Sequence, residues 1–177
     1  MKNIYKKSIK LMDKSAHVIV SRYEDHYNVT DGYIMLKVPA GAYDAFFRTE
    51  KPYYVGLADG ETWISEKKAR KSCIGSKKPE FVNLDKCFPD PCDAVQVRPT
   101  AYKYTASGTT CDVFASQEFV TCINSEFVAA FFEIYGHNFK SAGRIRPLVW
   151  GDCEAITLPV NVSIPEEMES ALINSVW

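Results

Sequence analysis

The feature that most constrains the fold is a strand, turn and strand pattern within residues 18–38. Segments 18–20, 26–29 and 33–38 are rich in the β-branched and aromatic residues that favour half-buried strands. Asp31-Gly32 lies between the last two segments and suits a tight turn, because glycine tolerates positive φ and aspartate hydrogen-bonds to its own backbone. The pattern predicts a hairpin of antiparallel sheet.

A second pattern occupies residues 119–160. Residues 119–123 predict a strand, and Asn124 or Ser125 can cap a following helix. Residues 127–135 are apolar almost throughout, which predicts a helix buried against a sheet, and Gly136 is placed to end it. Three further strands are predicted at 139–143, 147–150 and 154–160. The predicted order is strand, helix and three strands.

This order resembles the closing half-domain of the bacterial sliding clamp, the β subunit of DNA polymerase III, and the whole chain resembles about one clamp repeat. Thr30-Asp31-Gly32-Tyr33 is similar to the clamp turn Thr-Asp-Gly-His, with tyrosine in place of histidine. Residues 79–89 resemble the linker between clamp repeats, with Val82 where proline is usual. Pro147-Leu148-Val149 and Leu158-Pro159-Val160 resemble the closing strands. The resemblance covers roughly residues 17–162.

The resemblance implies an α+β fold in which two main helices pack on one side of an antiparallel sheet. With 177 residues the chain lies in the usual single-domain range. We therefore expect one clamp-like domain over residues 1–165, made of two half-repeats joined near 79–91. Residues 166–177 form a C-terminal tail, in which a short amphipathic helix can dock on its own chain or on a partner.

Residues 3–15 predict an amphipathic helix. Five lysines share one side of it: Lys2, Lys6, Lys7, Lys10 and Lys14. Apolar residues occupy the other side: Ile4, Tyr5, Ile9, Leu11 and Met12. Such a lysine face can neutralise phosphates without recognising base sequence, and the resemblance implies that it contacts duplex DNA as ring-lining clamp helices do. A solvated helix face explains the lysines equally well.

A second basic cluster lies in an aromatic-rich segment, residues 40–78, that we expect to be irregular. Its members are further DNA-binding candidates: Lys67, Lys68, Arg70 and Lys71. Basic residues among aromatics can stack on single-stranded bases, although packing of a small core also explains the aromatics. Charge is distributed unevenly along the chain. Residues 1–78 contain 15 Lys/Arg and nine Asp/Glu, whereas residues 79–177 contain six Lys/Arg and 13 Asp/Glu.

Catalytic and metal-binding patterns are missing from the sequence. The six cysteines include no Cys-x-x-Cys pair and have no histidine close by, so we expect reduced thiols and no metal or other cofactor. His17, His26 and His137 share no recognisable spacing with a nucleophile; we expect His26 to lie in a polar turn. No phosphate-loop, dinucleotide, zinc-protease or serine-hydrolase motif occurs. The sequence predicts a protein that is not an enzyme.

Three functions stay open, two of them binding functions and the third an enzyme whose site the motifs do not show. The first is a clamp-like DNA-replication accessory protein that contacts duplex DNA non-specifically, recruits partners and encircles DNA only as a homo-oligomer. Here the resemblance implies a partner groove at Leu158, Pro159 and Val160. The second is a phage-encoded inhibitor of a host nuclease or defence complex, resembling an anti-CRISPR protein, that binds a host nucleic-acid-binding protein. No apolar run approaches ~20 residues, so we expect no membrane partner and a cytoplasmic location.

Overall fold

The structure is a computed structural model that describes residues 2–50, 56–66, 80–106 and 108–175. These residues form two compact units, Met1–Cys87 and Phe88–Trp177. The boundary between the units falls within residues 79–91, the predicted junction of two half-repeats. Each unit has its own helices and antiparallel strands.

Unit 1 combines two helices with four strands. Its elements are α1 (Lys2–Met12), β1 (His17–Arg22), β2 (His26–Thr30), β3 (Ile34–Pro39), α2 (Ala40–Glu50), β4 (Thr62–Glu66) and a 3₁₀ turn (Leu84–Cys87). The four strands are antiparallel and lie in the order β4-β1-β2-β3. Helix α1 ends at Met12, so the prediction of a helix to about Ser15 is too long and Lys14 lies in the following turn.

The predicted Asp-Gly turn joins β2 to β3. Asp31 Oδ1 accepts hydrogen bonds from the backbone N–H groups of Tyr33 and Ile34, both at 2.9 Å. Gly32 has φ of 90°, a conformation that glycine adopts without the strain a side chain would add. Local turn chemistry therefore fixes the register of this hairpin. His26 begins β2 and is buried, so its expected place in a polar turn is wrong.

Helix α2 corrects the expectation that residues 40–78 are irregular. Tyr43 of α2 stacks on Tyr27 of β2 with ring centroids 3.8 Å apart, and Phe47 stacks on Tyr43 at 5.2 Å. The spacing of Tyr43, Phe46 and Phe47 is that of one helix face. These aromatics bury one face of the sheet under α2, and β4 supplies a further strand within the same segment.

Unit 2 combines two helices with two groups of strands. Its elements are β5 (Val95–Gln96), β6 (Arg98–Ala106), β7 (Thr109–Ala115), β8 (Val120–Asn124), α3 (Ser125–Tyr135), β9 (Phe139–Ser141), β10 (Leu148–Trp150), β11 (Ala155–Thr157) and α4 (Glu166–Ser175). One group has the order β11-β10-β9-β5 and the other β6-β7-β8, with antiparallel pairing in both.

Helix α3 confirms the predicted helix at 127–135 and its two ends. Asn124 Oδ1 accepts from the Glu126 N–H at 2.9 Å, and Gly136 (φ of 58°) follows the last residue. Phe131 is fully buried and stacks on Trp150 with centroids 5.7 Å apart. Several other residues of α3 are only half-buried, so one face packs on the core rather than the whole circumference.

Residues 166–175, placed in a separate tail by the sequence, belong to the core of unit 2. Leu172 of α4 is buried with Ile164 and with residues of β7 and β8, among them Cys111 and Cys122. Glu169 accepts a hydrogen bond from the Arg144 guanidinium at 3.0 Å, which fixes the side of α4 that faces Arg144. Of the two alternatives, α4 docks on its own unit.

The fold is α+β with mostly antiparallel strands, as expected. The described part of the chain contains four α-helices rather than the two main helices expected from the sequence. None of these helices combines the length and apolar composition that crossing a bilayer requires.

Candidate nucleic-acid interface

The candidate interface is built on α1, which packs on α2 through an aromatic contact. Tyr5 lies with its ring centroid 5.6 Å from that of Phe46 and 5.5 Å from that of Phe47. Three further apolar residues of α1 are buried: Ile9, Leu11 and Met12. The apolar side predicted for this helix is therefore the side that holds it in unit 1.

The opposite side of α1 carries lysines. Lys6 and Lys10 are exposed and, one helical turn apart, are separated by ~6 Å along the axis. Lys7 is half-buried, which corrects its assignment to the fully exposed face. Lys2 begins the helix but its side chain lies outside the described part, and Lys14 is exposed beyond the helix end. Helix α1 contains four lysines and no acidic residue.

A hydrogen bond joins the segment after α1 to the β2–β3 turn. Ser15 Oγ donates to Asp31 Oδ2 at 2.6 Å, which joins the end of the α1 segment to this turn. Tyr33, at the tip, is 60% exposed. Unit 1 thus has two exposed features of the kind that contact nucleic acid, the ammonium groups of α1 and the aromatic ring of Tyr33.

The other predicted site residues divide into two groups. Lys67, Lys68, Arg70 and Lys71 lie outside the described residues. In the predicted partner groove Leu158 is 40% exposed, while Pro159 and Val160 are half-buried. The Val160 N–H donates to the Cys122 carbonyl at 2.8 Å and its side chain packs on the core beneath α4. Leu158 is the member of this group with most surface available to a partner.

A polar cluster in unit 1 was not predicted. His26 Nδ1 contacts Asp25 Oδ1 at 2.5 Å, and His26 Nε2 contacts Asp85 Oδ1 at 3.2 Å. The hydrogen bond with His26 lowers the pKa of Asp25 below its ordinary value. Asn28 Nδ2 donates to Asp85 Oδ1 at 2.9 Å. The described hydrogen-bond partners of the His26 ring are the carboxylates of Asp25 and Asp85, which fix the orientation of the imidazole.

The thiols fall into a buried and a more accessible group. Desolvation raises the pKa of Cys111, and it raises the pKa of Cys122 to about 11, so both stay protonated and inert at neutral pH. Cys87 and Cys92 are exposed and Cys153 is half-buried. Within the described ranges, no three His, Cys, Asp or Glu side chains come together as metal ligands do.

Unit 2 contains a cavity of about 290 Å³ beside the turn after β10. Lys140, Asp152 and Cys153 contribute its polar lining, and Pro89 and Val149 contribute apolar lining. Cys153 has φ of 61°, which is uncommon for a residue other than glycine. The cavity is near the lower size limit of small-molecule sites.

No protein-family model matches the chain, and neither a curated protein nor a solved structure shows significant similarity to it.

Proposed function

We propose that the chain is a non-catalytic, clamp-like accessory protein of DNA replication that contacts duplex DNA through the lysine face of α1. One observation carries the proposal. Helix α1 is fixed by its buried apolar side and presents Lys6 and Lys10 to solvent on a helix without acids. Ammonium groups so placed can replace counterions along a phosphate backbone without recognising bases.

The lysines work against the stability of their own helix. Lys2, Lys6 and Lys10 follow one another at i, i+4 spacing, and like charges at that spacing destabilise a helix by ~0.2–0.5 kcal/mol per pair. Lys2 also lies at the helix N-terminus, where the dipole disfavours a cation. An arrangement that costs stability without an acidic partner inside the helix favours a function for the charge over ordinary solvation.

The clamp-like scaffold is the second part of the proposal. In each unit a helix is followed by a three-stranded antiparallel meander, α1 with β1–β2–β3 and α3 with β9–β10–β11. This recurrence supports the resemblance to a clamp repeat with two half-repeats. A single repeat encloses DNA only as a ring of several copies, so ring formation predicts a native mass several times 20.0 kDa. Leu158, exposed beside β11, is proposed to recruit partner peptides.

A second candidate is the inhibitor of a host nuclease or defence complex. Its support is at the start of α4, where Glu166 and Glu167 are exposed. Ile145, 71% exposed, follows Arg144, which binds Glu169 of the same helix. Exposed acidic groups suit a basic protein surface, and an exposed apolar side chain offers further contact area. This function predicts a chain that ignores DNA and co-purifies with one host protein.

A salt titration tests the DNA proposal. Binding of the purified chain to a fluorescent random-sequence duplex of 30 base pairs should weaken steeply with salt, with a log–log slope of about −2 to −4 if two to four lysines each neutralise one phosphate. Fluorescence anisotropy from 25 to 200 mM salt measures the slope. A slope near zero, or the absence of binding at 25 mM salt, would reject the proposal.

A further inference from the structure

A row of polar side chains crosses the unit 1 sheet on the face opposite α2. The strand register places Ser21 opposite Thr62 and Asn28 opposite both Ser21 and Lys37, so one side chain from each strand belongs to the row. Ser21, Asn28 and Thr62 are at most 1% exposed. We call Thr62, Ser21, Asn28 and Lys37 the polar row. Residues 80–87, here called the strap, make hydrogen bonds to it.

The strap backbone is bound by a closed ring of hydrogen bonds. The Val82 N–H donates to Thr62 Oγ1 at 2.9 Å, and Ser21 Oγ donates to the Val82 carbonyl at 2.9 Å. The two hydroxyls lie 2.9 Å apart. Because the single Ser21 proton goes to Val82, the proton between the hydroxyls comes from Thr62. These contacts hold a peptide group and are independent of the side chain at position 82.

The other end of the strap is bound by charge. Asp85 Oδ1 accepts from Asn28 Nδ2 at 2.9 Å, lies 3.2 Å from His26 Nε2 and lies 3.8 Å from Lys37 Nζ. The Asp85 N–H donates to the Tyr23 hydroxyl at 3.1 Å. Three nitrogen-bearing side chains thus converge on one carboxylate oxygen, which is selective for an acidic residue at this place.

Apolar contacts of the strap are few. Leu84 is its one buried apolar side chain, and Phe81 is 40% exposed while its ring meets Tyr23 edge-on at 5.3 Å. A segment held mainly by hydrogen bonds exchanges them for bonds to water when it lifts, so it opens more readily than a segment of the core. The strap is therefore attached to the sheet mainly by hydrogen bonds and can detach, as a bound peptide can.

The strap leaves one group of the row unsatisfied. Asn28 Oδ1 is buried and has no hydrogen-bond partner among the residues that the structure describes, although its amide N–H is bonded to Asp85. Buried acceptors in proteins are almost always hydrogen-bonded, so a ligand that brings a donor to this oxygen should be preferred. A strap supplied by a second copy of the chain would leave the same oxygen unfilled, whereas a peptide of different sequence can supply the donor. This observation favours a different protein as the natural occupant.

We propose that the polar row is a docking groove for an extended acidic peptide of a partner protein and that the strap is its internal competitor. The peptide would offer a main-chain N–H and carbonyl to Thr62 and Ser21, an aspartate to His26, Asn28 and Lys37, and a donor to Asn28 Oδ1. The groove is distinct from the lysine face, so it does not depend on the DNA proposal.

The experiment uses the full chain and a fluorescent peptide with the sequence of residues 80–86. A tethered strap competes at an effective concentration of order millimolar, so the wild-type chain should bind the peptide weakly. Asp85→Asn keeps the shape of the strap and removes its charge. This variant should bind the peptide at least tenfold more tightly than wild type. A control peptide with asparagine in place of its aspartate should bind the variant at least tenfold more weakly.

A folded Asp85→Asn chain that binds neither peptide, or binds both equally, overturns the proposal. Strap exchange in a dimer of the chain, detected by native mass, overturns the assignment to a different partner. If the variant does not fold, peptide binding to the wild-type chain is measured by NMR instead. Millimolar peptide should shift the NMR signals of the His26 ring and the Asn28 side-chain amide, and unchanged signals overturn the proposal.

Discussion

Helices α1 and α3 occupy the same place in two similar local topologies and differ in charge. Each has 11 residues and each leads into a three-stranded antiparallel meander. Helix α1 carries four lysines and no acid, whereas α3 carries Glu126 and Glu133 and no basic residue. The topology alone does not require a basic helix, since α3 forms without one.

The two helices also differ in what stabilises their ends. Helix α3 has an Asn124 cap, an acid in its first turn and Gly136 after its last residue, all of which favour a helix. Helix α1 has no acid in its first turn and places lysines one turn apart. Helix α3 is thus optimised locally, while α1 depends on packing against α2. The proposed DNA contact therefore belongs to unit 1.

The largest expected effect is the loss of stability when a buried phenylalanine beneath either helix is truncated. Phe47→Ala removes the ring on which Tyr5 rests, and Phe131→Ala removes the ring that stacks on Trp150. Each should lower the free energy of unfolding by about 3–5 kcal/mol, as expected for truncation of a buried phenylalanine. Hydrogen exchange should show the amides of α1 losing protection in the first variant and those of α3 in the second. If both variants reduced the protection of the α1 amides equally, the two units would not have separate cores.

Capping gives a smaller effect that is specific to α3. Asn124→Ala removes the acceptor of the Glu126 N–H and should cost about 1 kcal/mol in chemical denaturation. Asn124→Asp, which keeps an acceptor, is the matched control and should retain most of the stability. A loss of the same size in both variants would show that the side chain acts through packing instead.

Charge reversal within α1 should stabilise the helix. Lys6→Glu replaces two like-charge pairs, with Lys2 and Lys10, by two opposite-charge pairs. At ~0.2 kcal/mol for each repulsion removed and each attraction gained, the free energy of unfolding should rise by about 0.8 kcal/mol at low salt. The gain should fade at 1 M salt, because the interaction is screened. A destabilised variant would mean that Lys6 makes a structural contact and would weaken the argument that its charge serves binding.

The smallest effect concerns Asp25 in unit 1. Its pKa is lowered by the bond with His26, so the stabilisation is present above the ordinary value of 3.8 and is lost as pH falls through the lower folded-state value. Wild type should therefore exceed Asp25→Asn in stability at pH 5, and the difference should shrink below about pH 3.8. In a His26→Ala background the difference should vanish at both pH values; a persistent difference would assign it to another partner.

Local chemistry explains what could be predicted from the sequence. The Asp31-Gly32 turn and the two ends of α3 depend on residues close together in the chain, and both were predicted. Helix α2 was not predicted, because the aromatics of residues 40–50 were assigned to an irregular segment, although Tyr43, Phe46 and Phe47 have helical spacing. The lysine side of α1 was predicted from periodicity, but the half-burial of Lys7 depends on packing.

The polar row could not be predicted because long-range register creates it. Ser21 meets Thr62 from 41 positions away, and His26 meets Asp85 from 59 positions away. No local pattern around these residues differs from ordinary strand or turn sequence. The burial of Val160 could not be predicted for the same reason, because it depends on the docking of α4 on the core of unit 2.

The most direct test of the central claim is the affinity of two charge-matched variants for random duplex DNA at 50 mM salt. Lys6→Glu with Lys10→Glu reverses the exposed charge of α1, and Lys140→Glu with Arg146→Glu makes the same change in net charge on exposed residues of unit 2. We expect the α1 variant to lose at least tenfold in affinity and the unit 2 variant to stay within about twofold of wild type. Equal losses in the two folded variants, or undiminished binding by the α1 variant, would contradict the assignment of DNA contact to α1.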